Sequence, residues 1–123
     1  MLMKYPTVEE IIETNRRVLE LKKITKAEKH ERIGLKENIQ KAIDKSSEGK
    51  DVHESAAILL KEINKGHFFG SANKRTSFVA ALNFIRSNGG EIPSKTELEQ
   101  ASFLLKVRNE DITIEEIRRW LRP

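Results

Sequence analysis

The chain has 123 residues, with 23 Lys and Arg against 19 Asp and Glu, a formal charge of +4, and no cysteine. That length suits a single domain over residues 1–123, whose core buries roughly two thirds of the unfolded surface. The lack of Cys excludes disulfides, thiolate zinc sites and a Cys nucleophile. No apolar run approaches a membrane span and Met1–Pro6 carries no signal-peptide apolar region, so a cytoplasmic protein without membrane contact is expected.

The pattern is helical nearly throughout. Thr7 with Glu10, Thr25 with Glu28, Ser94 with Glu97 and Thr113 with Glu116 have capping-box spacing, and Asp51 with Glu54 is a weaker version. The first predicted helix runs from about Thr7 to Lys22, with Val8, Ile11, Ile12, Val18 and Leu19 on one stripe. A short helical turn follows Thr25 and breaks at Gly34. The next helix carries Leu35, Ile39, Ala42 and Ile43 on its apolar face and ends in the polar stretch from Ser46 to Lys50. Another begins near Asp51 and holds Ala56, Ala57, Leu59, Leu60 and Ile63, with Gly66 as the expected left-handed residue after its end. A helix from Ser71–Asn73 to Asn88 is apolar on nearly every side in its middle, as a central helix should be, and Gly89-Gly90 ends it. A short extended piece fits Glu91–Pro93. Two last helices lie near Ser94–Val107 and Thr113–Leu121. Phe103, Leu104 and Leu105 are expected in the core, and Trp120 as a packing anchor.

Chemistry concentrates in Gly66-His67-Phe68-Phe69-Gly70-Ser71-Ala72-Asn73-Lys74-Arg75-Thr76. Small residues precede a strongly apolar helix, whose first turn offers free N–H groups and the positive dipole end to an anion. Lys74 and Arg75 stand at the end of a helix that disfavours cations, and a bound phosphate would offset this. Asn73 adds a further donor. His67 stands just before this nest, and it can accept a proton near neutral pH. A base beside a phosphate cradle fits transfer of a phosphoryl or nucleotidyl group to a hydroxyl. Phe69 would anchor the loop in the core. A single His after a helix and an Asn-Lys-Arg run are also ordinary surface features, so the surface reading stays open on physics alone. His53 and His30 read as surface residues.

The stretch His67-Phe68-Phe69-Gly70-Ser71-Ala72-Asn73-Lys74-Arg75 resembles the Fic/Doc motif, which runs His, any residue, Phe, any residue, Asp or Glu, Gly or Ala, Asn, Gly or Lys, Arg. The Ala-Asn-Lys-Arg-Thr ending is similar to the Doc (death-on-curing) branch. Adenylyltransferases of the family carry Gly-Asn-Gly-Arg and a second Arg three residues on, where this chain has Phe78. The resemblance covers most of the chain and is most specific between residues 55 and 92.

The resemblance implies an all-α, compact, single-domain Fic-like fold around a central motif-bearing helix. It implies ATP chemistry on a hydroxyl of a target protein, with His67 as the activating base. Ala72, Asn73, Lys74 and Arg75 would bind the nucleotide phosphates. Lys74 in place of Gly is associated with a reversed nucleotide pose, which transfers phosphate rather than AMP. A translation factor is the implied target, and an antitoxin acting in trans the implied inhibitor. The self-inhibitory pattern Ser/Thr-x-x-x-Glu-Gly/Asn is not matched, since Ser87 to Glu91 is followed by Ile92.

Ser71 replaces the metal-binding Asp or Glu of the motif, and a neutral hydroxyl is a poor Mg2+ ligand. Three outcomes are open: Mg2+ held mainly by phosphates and water, another acid supplying the charge, or a Fic-fold binding module with impaired chemistry. Protein adenylylation is the alternative activity. A rival from another class is a DNA-binding helix-turn-helix over Thr25–Ile43, with Lys26, Lys29, Arg32, Lys36 and Lys41. It leaves the motif unexplained, and nucleic acid is not the expected partner.

Overall fold

A computed structural model describes residues 2–21 and 35–123; among them are six α-helices and no strand. They are α1 (Val8–Leu21), α2 (Leu35–Ser46), α3 (Val52–Gly66), α4 (Asn73–Ser87), α5 (Glu97–Asn109) and α6 (Ile114–Leu121). The expected Thr25–Glu28 cap, the break at Gly34, His30 and most of the helix-turn-helix outline lie outside the described residues. The expected extended piece at Glu91–Pro93 lies in the non-helical connection between α4 and α5. No described helix is long and apolar enough to cross a membrane.

Local chemistry sets most helix starts. Thr7 and Glu10 exchange both capping bonds at the head of α1, at 2.8 and 3.1 Å. Asp51 caps α3 by accepting from the Glu54 amide at 2.8 Å. Glu54 in turn accepts from the Lys50 amide rather than from that of Asp51. Thr113 caps α6 through the Glu116 amide. For α5 the capping box is Thr96 with Glu99, not Ser94 with Glu97. Both pairs have the right spacing, but the chain after the buried Pro93 is non-helical up to Thr96, whose own backbone is extended (φ −70, ψ 163). Gly89, at φ 76, ends α4 in a Schellman arrangement, with Gly89 N–H donating to the Arg86 carbonyl and Gly90 N–H to that of Ile85.

The end of α3 departs from expectation. Gly66 remains helical, and the left-handed position falls on His67 (φ 52, ψ 44). Gly66 has a steric role instead: a Cβ there would lie 2.6 Å from the Phe68 ring, which folds back over it.

α3 and α4 form the middle of the molecule. α3 also packs on α2, α5 and α6, while α4 packs on α1 and α5. Six consecutive α3 residues, Ser55 to Leu60, are buried, as are Phe78, Ala80, Ala81, Phe84 and Ile85 of α4. Burying such side chains contributes roughly 1.5–3 kcal/mol each for the large ones. Trp120 stacks on Phe103 with centroids 4.2 Å apart and meets Phe78 at 5.4 Å, which makes it a packing anchor for α5, α6 and α4. Leu104 is buried and Phe103 half-buried, but Leu105 is 48% exposed, since one helix face cannot hold three consecutive residues. Two tethers close the fold. Asn88 exchanges bonds with the Lys4 backbone at 2.7 and 3.0 Å, and Arg118 of α6 pairs with Asp51 at 3.1 Å.

Candidate active site

The loop between α3 and α4 carries the motif. Its geometry follows from two buried aromatic side chains and one amide. Phe68 and Phe69 are 8% and 3% exposed, so both ends of the Phe-Phe pair are tucked under the loop. Sequence reasoning singled out only Phe69; the glycine before His67 was the available sign for Phe68. Asn73, also buried, closes the loop with its side chain. Its Oδ1 accepts from the Phe69 amide at 3.0 Å and its Nδ2 donates to the Phe69 carbonyl at 2.9 Å. Asn73 thus commits its carbonyl and one amide N–H to shaping the loop.

The next link is Ala72, which sits at the N-cap of α4 in the left-handed region (φ 64, ψ 26). Holding an L-residue there costs about 1–2 kcal/mol. An alanine side chain cannot cap, so no side chain accepts from the first amides of α4, and no acid occupies the first turn. Lys74 and Arg75 stand there instead, both half-exposed. Among the described residues neither makes an ion pair. The structure therefore brings together an uncapped helix start and two half-exposed cations in its first turn.

Asn15 of α1 fixes this start from behind. Its Nδ2 donates to the Ser71 carbonyl at 3.1 Å and to the Thr76 hydroxyl at 3.0 Å, and both Asn15 and Thr76 are buried. Sequence reasoning missed Asn15. The available signal was a polar residue on the buried stripe of an amphipathic helix.

His67 is exposed at the end of α3, and its left-handed backbone turns the chain toward Phe68. Arg108, near the end of α5, reaches it: Nη2 lies 3.0 Å from His67 Nδ1. Sequence reasoning missed this neighbour as well, because only the packing of α5 on α3 unites residues so far apart.

The family model described as Fic/DOC family matches residues 5–85, from the segment before α1 to the last turns of α4. The chain belongs to the Fic/DOC family. It is also similar to the "Protein kinase doc" of Escherichia phage P1, with 42% identity over 48 residues. That alignment takes in 39% of this chain and only 38% of the phage protein's length. Arg108 and the whole of α5 and α6 lie outside the matched Fic/DOC segment.

The Fic/DOC motif implies a metal ion at its acidic position, and the residues present do not fit one. Ser71 Oγ is shielded from solvent and lacks a hydrogen-bond partner among the described residues. A neutral hydroxyl facing inward is not placed to meet a hydrated divalent cation. Nor do the described residues include a group of three or more His, Cys, Asp or Glu able to hold a metal. The positive charge of this site comes from Lys74, Arg75, Arg108 and the start of α4. The cavities at the N-terminal segment are separate from it; one of about 280 Å³ lies beside the later turns of α4, against Tyr5, Ile11, Thr14, Asn83 and Phe84.

Proposed function

We propose that this Fic/DOC chain is a Doc-like toxin that transfers the γ-phosphate of ATP to a hydroxyl of a target protein such as a translation factor, and that an antitoxin acting in trans restrains it. The observation that carries this reading is the uncapped start of α4, bearing Lys74 and Arg75 and preceded by His67. The likeness to the phage P1 protein kinase doc supports the phosphoryl over the adenylyl direction.

In this reading the amides and cations at the head of α4 hold the polyphosphate. His67 takes the proton of the target hydroxyl, whose oxygen attacks the γ-phosphorus. The bond from that phosphorus to the bridging oxygen breaks, and ADP leaves. Lys74, Arg75 and the helix dipole stabilise the negative charge that moves onto the leaving oxygen. No step relies on a protein-held metal.

A second reading rests on Ser71. Its shielded hydroxyl favours a Fic fold that has lost transfer and retains binding. One experiment separates the readings: incubation with cell extract and ATP labelled at the α or the γ position. Label from γ on a protein, absent with His67→Ala, supports phosphoryl transfer, and label from α supports adenylylation. Absence of both, with transfer appearing in Ser71→Asp, establishes the binding module.

A further inference from the structure

His67 and Arg108 make a contact whose chemistry is constrained on one side. A guanidinium stays protonated and can only donate. At 3.0 Å from Arg108 Nη2, His67 Nδ1 is therefore the acceptor, and a neutral ring then carries its proton on Nε2. The ring has a single nitrogen lone pair able to accept a proton, and Arg108 occupies it.

The scaffold makes this a built contact rather than a chance meeting of surface side chains. Lys65, two residues before His67, donates to the carbonyls of Val107 at 3.1 Å, Arg108 at 3.4 Å and Glu110 at 3.1 Å. Asn64 donates to the Leu104 carbonyl at 3.1 Å in a buried setting. Two helix C-termini, each a negative dipole end, lie side by side here, and the ammonium of Lys65 gathers the carbonyls of one. The end of α5 is thereby fastened to the end of α3, and Arg108 is delivered to His67.

We infer that Arg108 is a positioning residue that occupies the proton-accepting nitrogen of His67 at rest, and that a polyphosphate bound at the head of α4 draws Arg108 away and frees that nitrogen. The inference rests on the proposed phosphoryl transfer for its purpose. Its driving force is general: a guanidinium binds phosphate oxygens through often paired hydrogen bonds in which donor and acceptor are both charged, whereas the imidazole nitrogen is a single neutral acceptor. The base is thus kept from the target hydroxyl until the nucleotide is in place. The released Arg108 also adds a cation to the polyphosphate site, where the motif position that could hold a second arginine is the buried Phe78. No bond is made or broken in this exchange beyond hydrogen bonds.

The test is the side-chain 15N spectrum of His67, recorded for the full chain and for Arg108→Met and Arg108→Ala. Each is measured with and without a non-hydrolysable ATP analogue, and binding of the analogue is followed separately by calorimetry. Without nucleotide, the wild-type Nδ1 resonance is expected at the position of an acceptor hydrogen-bonded to the Arg108 guanidinium, and both variants should shift it away from that position. Saturating analogue should move the wild-type resonance in the same direction and leave the variants unchanged. Analogue affinity should fall roughly tenfold in both variants, the loss expected for one charge-assisted contact. Identical Nδ1 resonances in wild type and variants would overturn the inference. So would a wild-type resonance that stays put while calorimetry shows the analogue bound. If the analogue does not bind at all, the release step and the proposed function both fail, while the wild-type-to-variant difference still reports the resting contact. If the resonances behave as expected but no phosphate is transferred, the proposed function alone fails.

Discussion

Asn73 and Phe69 form a closed pair: the buried amide of Asn73 accepts from the Phe69 N–H at 3.0 Å and donates to the Phe69 carbonyl at 2.9 Å. A motif residue expected at the phosphates thus has its side chain engaged in giving the loop its shape. Asn73→Ala leaves a buried N–H and a buried carbonyl unpaired, at about 1–3 kcal/mol each. The expected result is a loss of about 3 kcal/mol in urea unfolding, with most of the transfer activity lost as well. Asn73→Asp also loses the donor and sets a buried carboxylate against the Phe69 carbonyl, so it should not recover the wild-type midpoint.

Asn15 predicts a second effect at a distance. It touches no proposed substrate group, yet it ties α1 to Ser71 and Thr76. Asn15→Leu removes both bonds and should destabilise the chain by about 2 kcal/mol. Transfer activity should also fall at temperatures where the variant is still fully folded by circular dichroism. Full activity in the folded variant would show that the start of α4 does not depend on this brace.

Ala72 is an alanine in a conformation suited to glycine. Ala72→Gly removes the left-handed penalty of about 1–2 kcal/mol, partly offset by the greater entropy of glycine in the unfolded chain, about 0.5–1 kcal/mol. A gain of up to about 1 kcal/mol follows, read as a rise of several degrees in the thermal midpoint. A fall in the midpoint would contradict the backbone assignment at Ala72.

Asp51 links stability to pH. The Arg118 guanidinium beside it and the Glu54 amide it caps hold its carboxyl below the usual aspartate range. A depressed folded value means that the unfolded chain binds the proton more readily, so the contribution is present above the ordinary aspartate pKa of about 3.9 and is lost as pH falls through the folded value. Asp51→Asn keeps the cap and removes the charge pair, which is partly exposed, so the loss at neutral pH should be under about 1 kcal/mol. Asp51→Ala removes the cap as well and should lose about 1 kcal/mol more. Both variants should show a flatter fall in stability on the acid side than wild type, and an unchanged slope would contradict the role of Asp51.

Much of this was legible in the sequence because it is local. Thr7, Asp51 and Thr113 announce helix starts through contacts three residues away, and the apolar stripes of α1 and α3 follow from spacing alone. Two overlapping Ser/Thr-x-x-Glu patterns before α5 look alike by spacing, and only the folded chain shows that Thr96 with Glu99 makes the box. The left-handed residue after α3 moved from Gly66 to His67 because the Phe68 ring needs the space over Gly66. At the site, the small residues, cations and histidine could be read directly. Asn15 and Arg108 could not, because each reaches the motif only after a helix distant in sequence has docked. The inward turn of the Ser71 hydroxyl likewise depends on the loop that Asn73 closes.

Phosphoryl transfer driven by His67, from a nucleotide at the head of α4 to a protein hydroxyl, is the proposed activity. Its most direct test is mass spectrometry of proteins from an extract treated with the pure chain and ATP, beside parallel samples of His67→Ala and of Lys74→Ala/Arg75→Ala. A phosphorylated serine or threonine on a specific protein is expected with wild type, and none above background with either variant. An AMP adduct in place of phosphate, or the same phosphorylation with His67→Ala, would contradict it.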